Sequence, residues 1–320
     1  MSQDRPYIGI LLMLGFSLLA PIGDAMVKLL GDLIAVGVFI FYRFAIQSVL
    51  LAPLVWRGRL LAACKPGHFG LIFLRTLFHM VGIGAMFMAL RYLPLADAIA
   101  IAFVMPFLQL ILGKVFLNEE VGMHRIAACC VGFVGTLLVI QPSFVAVGLP
   151  ALWPLLVAVA FSLFMLVGRQ IAQQVDPVAI QMSSGAMAAL LLLPLLLLGR
   201  AQGWEAFSLA LPQGTALSLM LAAGVIGTLA HLLMTWSLRF APSATLAPLS
   251  YVELPVTTLV GFAVFGDLPN TLAAIGIVVT VSAGLYIVFR ERASHRAALR
   301  ARLPHSQAQP EAGLPASWDP

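Results

Sequence analysis

The sequence predicts an all-α membrane protein, with ten transmembrane helices arranged as two inverted five-helix repeats. Three observations predict it. Ten apolar stretches, each about long enough to cross a bilayer, fill the chain from Ile8 to Phe289. Basic residues crowd one side of the alternating connections. The second half repeats features of the first at an offset of 148 residues. The 320 residues are 61% hydrophobic and 10% charged, with a mean hydropathy of +1.02. A soluble domain of that length cannot hide so much apolar surface, so lipid is the solvent for most of the chain.

The expected spans are Ile8–Leu30, Val36–Trp56, Phe69–Leu90, Leu95–Leu117, His124–Ile140, Leu149–Val167, Val178–Leu198, Thr215–Leu238, Ala244–Phe265 and Leu272–Phe289. A spanning helix needs roughly 20 apolar residues. The runs are continuous rather than alternating, which excludes a β-barrel. The first run is too long for a signal peptide, lacks a small-x-small cleavage site, and precedes nine more spans. The connections leave no room for a soluble domain. The expected organisation is a first repeat over 8–140, a second over 149–290, and a polar, disordered cytoplasmic tail over 291–320.

The net charge is +5. With the N-terminus inside, the inner side holds Arg5, Arg57, Arg59, Lys65, Lys114, Arg125, Arg169, Arg239, Arg290 and Arg292, and the outer side holds only Arg91 and Arg200. Positively charged loops stay cytoplasmic, so both termini are expected in the cytoplasm. Topology accounts for the basicity, and no nucleic-acid partner is expected. Trp56, Trp153 and Trp204 fall where interfacial anchors belong.

The repeat is read from Leu90-Arg91-Tyr92-Leu93-Pro94-Leu95-Ala96 against Leu238-Arg239-Phe240-Ala241-Pro242-Ser243-Ala244. The same offset pairs Val104 with Val252, Gly113 with Gly261 and Glu119 with Asp267. Five spans per half is an odd number, so the second copy must sit upside down. Such a pair of bundles can rock about a central site.

Charged groups within lipid cost about 2.5–3.5 kcal/mol by insertion scales and usually face a bundle interior. Besides Lys114 and Arg125 at cytoplasmic span ends, six lie in the spans: Asp24, Lys28, Arg43, Arg75, Asp97 and Glu253. Helical rise carries Glu253 about 14 Å from its cytoplasmic start, near the midplane, and puts Arg43 about 10 Å from the outer face. Glu253 lies between Pro248 and Pro255, beside Tyr251. Prolines free backbone carbonyls, which at that depth must be satisfied by protein or by a cavity. Glu253 is therefore expected to contact a substrate amine or carry a coupling proton; the plainer reading is a partner for a buried arginine. Arg43 and Arg75 bear permanent cations suited to anions, although Arg75 can also snorkel inward. Asp24 and Lys28 are four apart and set to pair locally. Asp97 suits a helix N-terminus. His79 and His231 sit within spans, as core histidines or titrating groups. Gln109, Trp236 and Tyr251 are candidates to line a cavity, with packing as the ordinary alternative.

No phosphate-binding glycine loop, zinc helix motif or Gly-x-Ser-x-Gly elbow is present. Gly23-Asp24 and Gly266-Asp267 are weak hints of an intramembrane protease, but Asp267 falls at a span end. The expectation is a non-enzyme with no cofactor and no metal. Cys64, Cys129 and Cys130 have no metal or disulfide spacing.

The run Leu90–Glu119, with Pro94, Pro106 and a terminal acid, repeated over Leu238–Asp267, resembles the EamA pattern of the drug/metabolite transporter superfamily. A finer resemblance is to the S-adenosylmethionine uptake subgroup. It rests on Asp24-x3-Lys28, Tyr42-Arg43-Phe44, Leu74-Arg75, Phe116-Leu117-Asn118-Glu119 and Tyr251-x-Glu253-Leu254. The resemblance implies two five-helix inverted repeats, a central cavity and alternating access in a bacterial inner membrane. The expected function is secondary transport of a small polar metabolite, S-adenosylmethionine or a similar zwitterion. Amino-acid or other metabolite export and riboflavin import are alternatives within the same fold, and a membrane enzyme or a non-transporting receptor outside it. Spans 1–4 and 6–9 would frame the cavity and spans 5 and 10 would brace it, spans 5, 6, 7 and 10 being poor in charge. Arg43 and Arg75 would hold a carboxylate or other anionic group. Proton or exchange coupling and a homodimer are further expectations.

Overall fold

A computed structural model describes residues 6–118, 122–207 and 211–302. Arg5, Glu119, Glu120 and residues 303–320 lie outside the described residues, as do the side chains of Arg125, Cys129, Pro248 and Arg292.

The described residues form helices and no strands. They are α1 (Pro6–Leu30), α2 (Val36–Gly58), α3 (Pro66–Tyr92), α4 (Leu95–Ala102), α5 (Met105–Leu117), α6 (Met123–Val147), α7 (Trp153–Ala172), α8 (Pro177–Gln202), α9 (Thr215–Phe240), α10 (Ser243–Leu246), α11 (Glu253–Phe265) and α12 (Thr271–Arg302). Among the described residues eight helices are long and apolar enough to cross a membrane, with α4 and α5 counting as one. Two shorter apolar stretches follow, Leu249–Phe265 and Thr271–Ala283.

Local chemistry sets the ends. Asp176 caps α8 by accepting from the Val178 N–H at 2.9 Å, and Pro177 follows at the first helical position. Asn118, Gly203 and Gly266 end α5, α8 and α11 in the left-handed conformation. Two spans are broken. Pro106 cannot donate to the turn before it, and the chain steps at Phe103-Val104 between α4 and α5. The stretch after Pro242 passes through α10 and a 3-10 segment, Ala247–Val252, before α11 begins at Glu253.

Helices from the two halves pack on one another. α1 lies along α9, α3 along α7, α2 along α8, α6 along α12, and α4 against α11. The α6–α12 contact is close because it is made by glycines. A Cβ on Gly135 would fall 2.7 Å from the Gly276 carbonyl oxygen. The Thr280 hydroxyl donates to the Gly132 carbonyl at 3.3 Å. Small residues allow such backbone approach where lipid supplies no hydrophobic drive.

α12 differs from expectation. The disordered tail was placed from residue 291, but the helix continues to Arg302. Residues 291–302 are mostly arginine, alanine and leucine, strong helix formers that extend a helix already nucleated in the preceding span.

Candidate functional site

A cavity of about 110 Å³ lies inside the bundle. α1 gives it Phe16, Gly23, Asp24 and Val27; α2 gives Phe39 and Arg43; α9 gives Gly227, His231 and Met234; α11 gives Glu253. Ile83 and Met86 of α3, Ile99 of α4, Phe103 at the break, and Val157 and Phe161 of α7 complete an otherwise apolar wall. The lining positions fall toward the carboxyl ends of α1, α3 and α4, the amino ends of α2, α7 and α11, and the middle of α9.

Of the residues singled out from the sequence, Asp24, Arg43, His231 and Glu253 line this cavity. Arg43 is 3% exposed, and its guanidinium lies against the backbone of Gly227. It donates through Nη1 to Gln47 Oε1 at 3.2 Å and Thr228 Oγ1 at 3.4 Å, while Nη2 sits 3.3 Å from His231 Nδ1. Nδ1 of His231 also lies 2.9 Å from the Gly227 carbonyl oxygen. One ring nitrogen cannot accept from Arg43 and donate to Gly227 in the same tautomer, so the two contacts are alternatives. Asp24 and Glu253 are the cavity's carboxylates. Among the described residues neither has a hydrogen-bond partner or a cation within ion-pair distance. Glu253 is 7% exposed, and the cavity is what its carboxylate faces.

Arg75 and His79 lie outside the cavity wall. Both are fully buried. Arg75 does not snorkel: its Nη2 donates to Thr235 Oγ1 at 2.8 Å, its Nη1 to Gln181 Oε1 at 3.4 Å, and its Cζ sits 3.9 Å from the Phe164 ring centroid. Gln47 donates to the Gln181 carbonyl oxygen at 2.7 Å, so Gln47 and Gln181 bridge the two arginines. Arg43 thus lines the cavity while Arg75 does not, being packed among Phe164 and Gly168 of α7 and Thr235 of α9. His79 stacks on His231 at 4.5 Å and on Phe164 at 4.5 Å, with Phe44 edge-on at 5.0 Å.

The remaining candidates sit elsewhere. Lys28 does not pair with Asp24. It reaches from α1 to Asp267 at 2.8 Å and lies 4.7 Å from the Phe265 ring centroid. Its long stem lets the ammonium leave the helix face it shares with Asp24, which turns into the cavity. Asp97 occupies the first turn of α4, as its type suits, and accepts from Ser143 of α6 at 3.0 Å. Gln109 is buried against α7 near Ser162 and Met165, away from the cavity. Trp236 packs with Leu51, Val55, Val178 and Leu232. Tyr251 is 2% exposed and packs against Phe103, ring centroids 5.4 Å apart. Span 6, expected with span 7 to frame the cavity, supplies Val157 and Phe161 through α7, whereas no residue of span 7 (α8) is among the lining.

Four residues escaped the sequence reading: Gln47, Gln181, Thr228 and Thr235. A signal existed for three. Gln47 follows Arg43 by four, and Thr228, His231 and Thr235 share one face of α9 at i, i+3 and i+7. Gln181 is a lone amide in a charge-poor span, and only its partners reveal it.

Comparison with known proteins agrees with the fold. The pattern of the EamA-like transporter family matches residues 7–141 and 148–290, and the chain belongs to that family. Over 270 residues it is 25% identical to an S-adenosylmethionine uptake transporter of Rickettsia felis, covering 84% of this chain and 88% of that protein. Over 259 residues it is 25% identical to a riboflavin transporter of Brucella anthropi, covering 81% and 89%. A crystal structure of an 18% identical protein superposes with a TM-score of 0.61, covering 88% of this chain and 96% of its own, and shares the fold. The chain is therefore a multi-pass bacterial membrane protein of a small-metabolite transporter family.

Proposed function

We propose that this protein is a secondary transporter that moves a zwitterionic metabolite carrying a planar ring, S-adenosylmethionine or a close chemical relative, by alternating access. The observation that carries the reading is the cavity's composition. One guanidinium, Arg43, faces it together with two carboxylates, Asp24 and Glu253, that have no cation in ion-pair reach among the described residues. Phe16, Phe39, Phe103 and Phe161 provide flat apolar surface. Arg43 would take a carboxylate, Asp24 and Glu253 a cationic group, and the phenylalanines a ring. A neutral ring compound such as riboflavin gives the two carboxylates nothing to neutralise, which favours a substrate with net positive charge. Glu253 would alternatively carry the coupling proton. Asp97, Lys28, Gln109, Trp236 and Tyr251 take no direct part in this reading.

Ten crossings in two inverted repeats, with both termini cytoplasmic, belong to the same proposal. Its support is the pairing of helices. Exchanging the two halves turns the α1–α9 pair into the α7–α3 pair, turns α4–α11 into the contact of α5 with α10 and the 3-10 segment after it, and leaves α2–α8 and α6–α12 unchanged as pairs. Phe103 and Tyr251, equivalent at the offset of 148, touch each other. The cavity is complete within one chain, so a homodimer would carry two.

The test is uptake of labelled S-adenosylmethionine into proteoliposomes, with and without internal unlabelled compound. Accumulation stimulated by internal substrate is the expected result. Absence of accumulation in vesicles with demonstrated insertion would remove that substrate, with riboflavin and amino acids next in line.

A further inference from the structure

We propose that Arg75 forms a second anion-binding position, used when the cavity opens to the opposite face, so that the anionic group of the cargo passes from Arg43 to Arg75. The inference rests on the transporter reading above. It starts from an energetic oddity. Arg75 is fully buried, and among the described residues no carboxylate lies within ion-pair distance of it. Its acceptors are neutral, Thr235 and Gln181, and its Nε has no partner at all among the described residues. Burying a guanidinium with no counter-ion is costly, and charged side chains inside membrane spans mark substrate or ion pathways.

The surroundings fit a site that opens. Arg75 lies outside the cavity wall, near Phe164 and Gly168 toward the carboxyl end of α7 and near Thr235 and Leu238 just past the lining residues of α9. Near it are polar atoms with nothing to bond among the described residues: Nε2 of its partner Gln181, and both nitrogens of His79 one turn along α3. Gly168 presents bare backbone beside the guanidinium, with a Cβ position 3.3 Å from Nε. The Gln47–Gln181 bridge links Arg75 to Arg43 through a chain of hydrogen bonds. Under exchange of the halves, α3 and α7 take the places of α9 and α1, and Arg75 occupies the counterpart of the open cavity. The ligand class is a carboxylate or another small oxyanion.

The test uses full-length protein in proteoliposomes with Cys64, Cys129 and Cys130 replaced by alanine and Thr235→Cys introduced beside Arg75. Two membrane-impermeant methanethiosulfonates of similar size, one bearing a sulfonate and one a trimethylammonium, are applied from each face. Their rates are corrected for reactivity with free thiol. The sulfonate should label Cys at 235 from one face only, at least about tenfold faster than the cation, as local electrostatic enrichment allows. Arg75→Lys should keep the preference and Arg75→Gln should lose it. Equal rates with Arg75 intact, or no labelling from either face, would overturn the proposal even if Arg75→Gln does not fold. Neither probe is a cargo, so a wrong substrate leaves this measurement unaffected.

Discussion

The guanidinium of Arg43 rests on the backbone of Gly227: a Cβ there would lie 2.6 Å from both Nε and Nη2. Only glycine leaves that room, and the contact aims the cation into the cavity. Gly227→Ala should therefore displace Arg43, lower substrate affinity by about tenfold or more, and cost about 1–3 kcal/mol of stability from overpacking. Gly70→Ala, where nothing lies within 4 Å, should leave both unchanged. Transport kinetics and thermal unfolding of the two purified variants check the contrast.

Glu253→Gln removes a carboxylate that has no cation within ion-pair reach among the described residues. It should abolish substrate binding or coupling and leave the protein folded in the membrane. Uptake at the full wild-type rate would make Glu253 structural. Asp24→Asn should weaken binding of a cationic substrate and leave a neutral one unaffected, which a competition assay resolves.

The ion pair of Lys28 and Asp267 is partly exposed, at 19% and 36% for the two side chains. Pairs in that position contribute little. A double-mutant cycle with Lys28→Met and Asp267→Asn should give a coupling below about 1 kcal/mol. Added salt should shrink it further. A coupling of several kcal/mol would mark the pair as a structural lock between α1 and the end of α11.

Gly135→Leu should separate α6 from α12, because the Gly276 carbonyl already fills the space a side chain needs. The expected loss is about 1–3 kcal/mol, from overpacking an interface with no slack. Gly67→Leu, in open space at the start of α3, is the control. Thermal melts in detergent read both.

Much of the candidate site was legible before any packing was known, and for a definite reason. Asp24, Arg43, His231 and Glu253 were marked by cost: a polar group at that depth needs a partner or a cavity, and depth follows from helical rise alone. The same rule also selected Lys28, Asp97 and Gln109, which satisfy or bury their polarity elsewhere. Cost identifies a residue that needs a partner without saying which partner it has.

Span positions and membrane residence are properties of local composition. Continuous apolar runs have nowhere to go but lipid, and hydrogen bonding within each run makes it helical whatever its neighbours do. Pairing is different. Whether Lys28 turns to Asp24 or to Asp267, and whether Arg75 joins Arg43 in the cavity or is packed outside its wall, depends on how α7, α9 and α11 are rotated against α1 to α3. That rotation is set by side-chain interlock between helices distant in sequence, such as Gly227 beneath Arg43 and Gly168 beside Arg75. Such contacts exist only once the two halves have packed.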